Sequence, residues 1–259
     1  MGFWINKVIL LVWIYVSAGI LFANNALAFD QQYSEWGQLL DKHIQSIGAQ
    51  TRFDYSWLRQ DPASLDLILL DFSEVTKQQF DAFNQPQQIA FLINSYNAFS
   101  LKLVMQRYPV LSFQDTTPEE ASPYTKRFIW LFGKKVSLRE LELRLLSPPY
   151  QEQRALFAIN CLCVDCPNLQ LIPYMGARLN KQLEQAVLTF LNDPKKNQIR
   201  RNHLFLSSLF DQYHEIFALR SGTKVSFFVK RWPEAAALIE QGRYSYIRYN
   251  MDLNESTGP

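Results

Sequence analysis

The segment Gln85–Val110, QPQQIAFLINSYNAFSLKLVMQRYPV, carries the strongest helical pattern in the chain and sets the fold class. Pro86 suits the first turn of a helix, where its missing N–H costs nothing, and Pro109 stops one. Between them Ile93, Asn97, Leu101 and Val104 share a stripe that should face the core. Asn94 and Asn97 are three apart and project from one face. A buried amide has to be paired, since a bond left unmade costs about 1–3 kcal/mol. Two readings stay open. The amides clamp a neighbouring backbone, or they line a pocket and orient a ligand.

Before this helix, SEWGQLLDKHIQSI (Ser34–Ile47) has helical spacing, with Ser34 as cap and Gly48 as stop. TRFDYSWLRQDP is a short extended piece that ends in a turn at Asp61-Pro62, and helix resumes through Ala63–Asn84. FIWLFGKKVSL alternates around Gly133-Lys134 and predicts a hairpin. Ser137 and Glu140 form a capping box for LRELELRLL. ALFAIN (Ala155–Asn160) fits a short buried strand, and GARLNKQLEQAVLTFLN an amphipathic helix. Lys195, Lys196, Arg200 and Arg201 read as a solvated basic loop. HLFLS is a strand, and the C-terminal part holds further helices and a last strand. The sum is an α+β fold, a mostly helical single domain with a small, mainly antiparallel sheet.

The N-terminus has the three-part layout of an export signal. Lys7 precedes an apolar run from Val8 to Ala23, and Ala26-Leu27-Ala28 is a small-residue cleavage site. The apolar run is shorter than the roughly 20 residues a membrane span needs. Residues 1–28 are therefore expected to be a signal peptide, and 29–259 a single domain in the periplasm or outside the cell. The chain has 26 Lys and Arg against 24 Asp and Glu, a near-neutral balance that argues against nucleic-acid or acidic-membrane partners. No membrane contact is expected after cleavage.

All three cysteines lie in FAINCLCVDCPNL, Phe157–Leu169. In an oxidising compartment an odd count leaves one thiol free or paired outside the chain. Cys163 and Cys166 form a C-x-x-C, yet the βαβ context of a redox motif is missing. Zinc would need a fourth ligand, and His43, His203 and His214 are far away in sequence. No metal and no cofactor is expected. Cys161 is the candidate nucleophile, at the end of the expected strand, and would need a base brought to it by the fold.

Several segments, in order, resemble the domain of unknown function 547 family. FLINSYNA resembles its F-W-I-N-x-Y-N-A, FDYSWL its V-D-Y-x-x-L, and SLRELE its S-L-D-D-I-E. LFAINCLCVDCPNL is similar to H-F-A-L-N-C-G-A-x-S-C-P-x-L. LSSLFDQYHEIF is similar to L-S-x-I-F-x-W-Y-x-x-D-F, and YNMDLN to a closing Y-D-W-S-L-N. Asn94, Tyr96, Asn97, Glu142, Asn160, Cys161, Cys166 and Pro167 match. Leu156 stands in place of the pattern's His, Leu92 and Gln212 in place of its Trp residues, Leu162 of its Gly and Ile216 of its Asp. The resemblance makes Cys161 and Cys166 the disulfide candidates, with Cys163 as the extra thiol. A polar set inside apolar segments without a complete catalytic trio, Asn94, Tyr96, Asn97, Glu142 and the strand end at Asn160-Cys161, is expected to line a pocket for a small molecule or a protein. The function expected is that of a binding or accessory protein. The alternative is a thiol-dependent hydrolase or transferase with Cys161 as nucleophile.

Overall fold

The computed structural model describes residues 29–119, 121–221 and 224–256. The expected signal peptide, residues 1–28, lies outside the described residues. Gln31–Pro259 form one compact unit. The fold is α+β and mostly helical, as the sequence pattern predicts.

Helix α1 (Ser34–His43) is shorter than its pattern suggests. Its last expected turn is instead strand β1 (Ile44–Ile47), paired antiparallel with β2 (Gln50–Phe53). Gly48, at φ 62°, makes the reversal in the left-handed region that glycine enters freely. A one-turn helix α2 (Tyr55–Leu58) follows, capped by Asp54. Then come α3 (Pro62–Glu74), α4 (Lys77–Ala82) and α5 (Gln85–Met105). Capping boxes start the last two, Thr76 with Gln79 and Asn84 with Gln87.

Helix α5 is the central helix of this unit. Every residue from Ile89 to Leu101 is buried, so it has no solvent face over more than three turns. It packs against α3, α6 (Leu138–Leu146), a 3₁₀ turn at Gly176–Arg178 and α7 (Leu179–Leu191). The 3₁₀ turn comes so close that a Cβ on Gly176 would sit 3.1 Å from the Gln87 Cα. Two aromatic clusters flank α5. One joins Phe72, Phe80, Phe83 and Phe132 to Phe91 of the helix itself. The other gathers Phe190, Phe210, Phe217 and Phe227 around Phe157.

The expected hairpin is β3 (Ile129–Leu131) with β4 (Lys134–Val136). Its two-residue loop, Phe132-Gly133, has both φ values positive, as a type I′ turn requires. The expected strand at ALFAIN is not there. Residues Gln153–Phe157 form a 3₁₀ turn instead. A short, fully buried apolar run looks the same in either state, and here it fills the second aromatic cluster and has no strand beside it.

After α7 come β5 (Gln198–Arg200) and β6 (His203–Ser207). Helices α8 (Leu209–Gln212), α9 (His214–Ser221), α10 (Lys224–Val229) and α11 (Pro233–Glu240) follow, and β7 (Tyr244–Ile247) ends the series. The sheet runs in the order β5-β6-β7, antiparallel and then parallel. The basic loop ahead of it corrects the sequence reading at one position. Lys196 is buried, 3.4 Å from the equally buried Asp193, and donates to the Cys166 carbonyl at 2.8 Å. Composition alone marks a cation as solvated, whereas this one is held by a carboxylate three residues earlier.

The C-terminal tail ties the pieces together. Val164 and Asp165 donate to the carbonyls of Asp252 and Asn250. Asn254 donates to Leu162, Leu253 to Leu111, and Phe53 of β2 donates to Asn254. The tail thus pins the cysteine loop to β2 and to the segment after α5.

Candidate functional site

Asn97 and Tyr96 are neighbours on α5 with different surroundings. The Asn97 amide donates to the Ala158 carbonyl at 3.0 Å and accepts from the Asn160 N–H at 2.8 Å. Asn160 donates in turn to the Pro167 carbonyl and accepts from the Leu162 N–H. That brace holds the backbone of the cysteine loop and helps keep Leu162 at φ 58°. One turn earlier, Asn94 makes the same pair of bonds with Tyr174, at 2.7 and 3.0 Å. The three asparagines are therefore backbone clamps, and none of them lines the cavity around Glu142. Of the two readings open for Asn94 and Asn97, the structure selects the clamp.

Tyr96, Glu142 and Cys161 do meet around one cavity of about 310 Å³. Its buried floor comprises Tyr96, Glu142, Leu156, Ile159, Pro167 and Leu209. Its exposed mouth is formed by Gln114, Arg139 and Gln212, with Tyr124, Tyr213, Tyr249 and Met251 between. Glu142 is the charged centre. Helical spacing brings Arg139 onto its carboxylate, and the Tyr213 hydroxyl donates to it as well. Burial outweighs both partners and raises the carboxyl above its ordinary value. The tyrosines respond to the same low-dielectric space. Burial first, and then the nearby Glu142 charge, pushes Tyr124 up to about 12 and raises Tyr96 and Tyr213 well above the phenol range. Tyr249 is raised by burial and by Asp165. All four phenols thus stay protonated at neutral pH and can both donate and accept hydrogen bonds.

No histidine is among the lining residues. His43 is buried against Phe53 and Trp57. His203 faces Ser245 at 3.2 Å, and the exposed His214 faces the Asp211 carbonyl at 2.9 Å. Leu156, which stands where the resemblance puts a histidine, is on the cavity floor.

Cys161 lines the cavity, while Cys163 and Cys166 are buried behind it. The three sulfurs lie within 4.8 Å of one another. Cys166 is within disulfide distance of both of its neighbours, with Cα–Cα separations of 6.1 Å to Cys161 and 5.0 Å to Cys163. Both spacings are ordinary for a disulfide, and one sulfur can make only one such bond at a time.

Residues 80–191 match the family model described as protein of unknown function, DUF547. Over that segment the chain is similar to the DUF547 family. No curated protein and no solved structure matches it. The DUF547 match contains Tyr96, Tyr124, Arg139, Glu142, Leu156 and Cys161, whereas Leu209, Gln212, Tyr213, Tyr249 and Met251 come from beyond it. The cavity is completed by the C-terminal part of the chain. Arg139, Tyr124, Tyr213 and Tyr249 were not among the expected site residues. Three of them carried a signal: Arg139 is one helical turn before Glu142, and Tyr213 and Tyr249 match tyrosines of the DUF547-like segments. Tyr124, in a polar loop, carried none.

Proposed function

We propose that this chain is an exported binding protein that holds a small polar ligand in the Glu142 cavity without transforming it. The observation that carries this is the make-up of the cavity lining. It gathers a buried carboxylate and tyrosine hydroxyls, which recognise hydrogen-bonding groups, and it has Leu156 where a base would be needed. Export follows from the expected signal at residues 1–28. The test is thermal melting of the full mature chain with amines, amino acids and sugars as probes. At least one class should raise Tm in the wild type, and Glu142→Gln and Tyr213→Phe should weaken that shift. A shift unchanged in both variants, or none with any probe, overturns the reading.

A second reading, thiol chemistry at Cys161, is favoured by one observation. Cys161 shares the cavity with a carboxyl that burial holds above its ordinary range, which suits an acid–base role. It predicts slow hydrolysis of an activated thioester by the wild type. Equal rates in Cys161→Ser would remove it.

A further inference from the structure

We infer that Cys163 is an internal exchange partner that moves the disulfide of Cys166 between Cys161 and itself, so that a thiol on the cavity wall is switched on and off. Its use for ligand capture rests on reading the cavity as a binding site. The exchange itself does not.

The backbone carries the first part of the argument. The loop is fixed at nearly every residue. Asn97 holds Asn160, and Asn160 holds Leu162 and Pro167. The C-terminal tail pairs with Cys163 and Val164, and Lys196 holds the Cys166 carbonyl. With the main chain held, the Cys161 and Cys163 sulfurs lie 3.8 Å apart and Cys166 faces both. Side-chain rotation alone then brings either sulfur onto Cys166. The third cysteine is only two residues from one partner and three from the other.

The step balances within the chain. The Cys163 thiolate attacks the Cys166 sulfur. The Cys163–Cys166 bond forms as the Cys161–Cys166 bond breaks, and Cys161 leaves with the electron pair. It then takes up a proton in place of the one Cys163 gave up. There is no net oxidation or reduction, and no outside reagent is needed. The two states differ in what the cavity sees. In the first, Cys161 is a closed, inert part of the wall and the spare thiol is buried. In the second, the spare thiol is Cys161 and it faces the cavity. A ligand bearing a soft electrophilic centre would be bonded covalently only in the second state.

The experiment is alkylation of the oxidised, full mature chain with iodoacetamide, without reductant and at mildly alkaline pH. An acid quench and tryptic digestion follow. The peptide between Arg154 and Arg178 contains all three cysteines, and fragmentation locates the label. The wild type should take up one alkyl group per chain, accumulating at Cys161. In Cys163→Ser, and again in Cys163→Ala, the Cys161–Cys166 bond is locked and labelling of Cys161 should be lost. Both variants retain a disulfide, so the loop stays stapled. Label confined to Cys163, no label, label on all three cysteines, or undiminished labelling of Cys161 in both Cys163 variants overturns the proposal. Because no ligand is added, this result is separate from the outcome of the melting test.

Discussion

Tyr96 and Asn97 are consecutive on one buried helix, both polar, and they serve opposite ends. Asn97 belongs to a set whose polar groups hold backbone: Asn94, Asn97, Asn160 and Lys196, the last of which also pairs with Asp193. Tyr96 belongs to a set that lines one cavity with Tyr124, Glu142 and Tyr213. Burial does not separate the two, because Asn97 and Tyr96 are equally inaccessible. What separates them is where the hydrogen-bonding capacity goes. A spent amide makes a scaffold, and a phenol that faces a cavity keeps capacity for a ligand.

The scaffold set should give the largest effects on stability. Removing the Lys196 ammonium leaves Asp193 as a buried and uncompensated charge, so Lys196→Met should cost about 3–5 kcal/mol in chemical denaturation. Adding Asp193→Asn should restore much of the loss. A Lys196→Met cost as small as that of a surface substitution would mean that this cation is not part of the brace. Asn97→Ala comes next. It orphans the Ala158 carbonyl and the Asn160 N–H together, for a loss of about 2–3 kcal/mol. Tyr96→Phe, one position away, should cost less, and equal losses would erase the distinction between the two sets.

These two residues also show how far the sequence could be read. The long helix was legible because two prolines bound a sustained apolar stripe. The hairpin was legible because Gly133 announced its turn. The clamp was one of two readings that spacing allowed for Asn94 and Asn97, and it depends on partners 61 to 80 residues away. No local pattern contains those. The ALFAIN segment failed for a related reason: strand and buried turn share one composition, and only a neighbouring strand would decide. In the cavity, Glu142 and Cys161 were legible as members of matching segments. The mouth was not, because its walls come from three distant parts of the chain.

Cysteine substitutions should have an intermediate effect. Cys166→Ser removes both possible disulfides, and the loops they close are short, so the cost is about 2 kcal/mol. Cys161→Ser and Cys163→Ser each leave one pairing and should lose less. If Cys166→Ser and Cys163→Ser melt alike, Cys163 rather than Cys161 holds the staple.

The smallest effect falls on the cavity set, and its sign is the informative part. Burial raises the Glu142 carboxyl above its ordinary 4.5, so the folded state holds this proton to higher pH than the unfolded state does. Where the folded state binds more protons, stability falls as pH rises. The penalty is absent below the unfolded pKa, grows between the two values and is complete above the folded one. The amide that Glu142→Gln introduces cannot titrate, and every other carboxyl is common to both proteins. The Tm of Glu142→Gln minus that of the wild type should therefore be more positive at neutral pH than at a pH below 4.5. A difference that moves the other way would mean that Arg139 and Tyr213 over-compensate the burial. Glu142 would then be a closed ion pair, which belongs with Asn97 and Lys196 and not with the groups left open to a ligand.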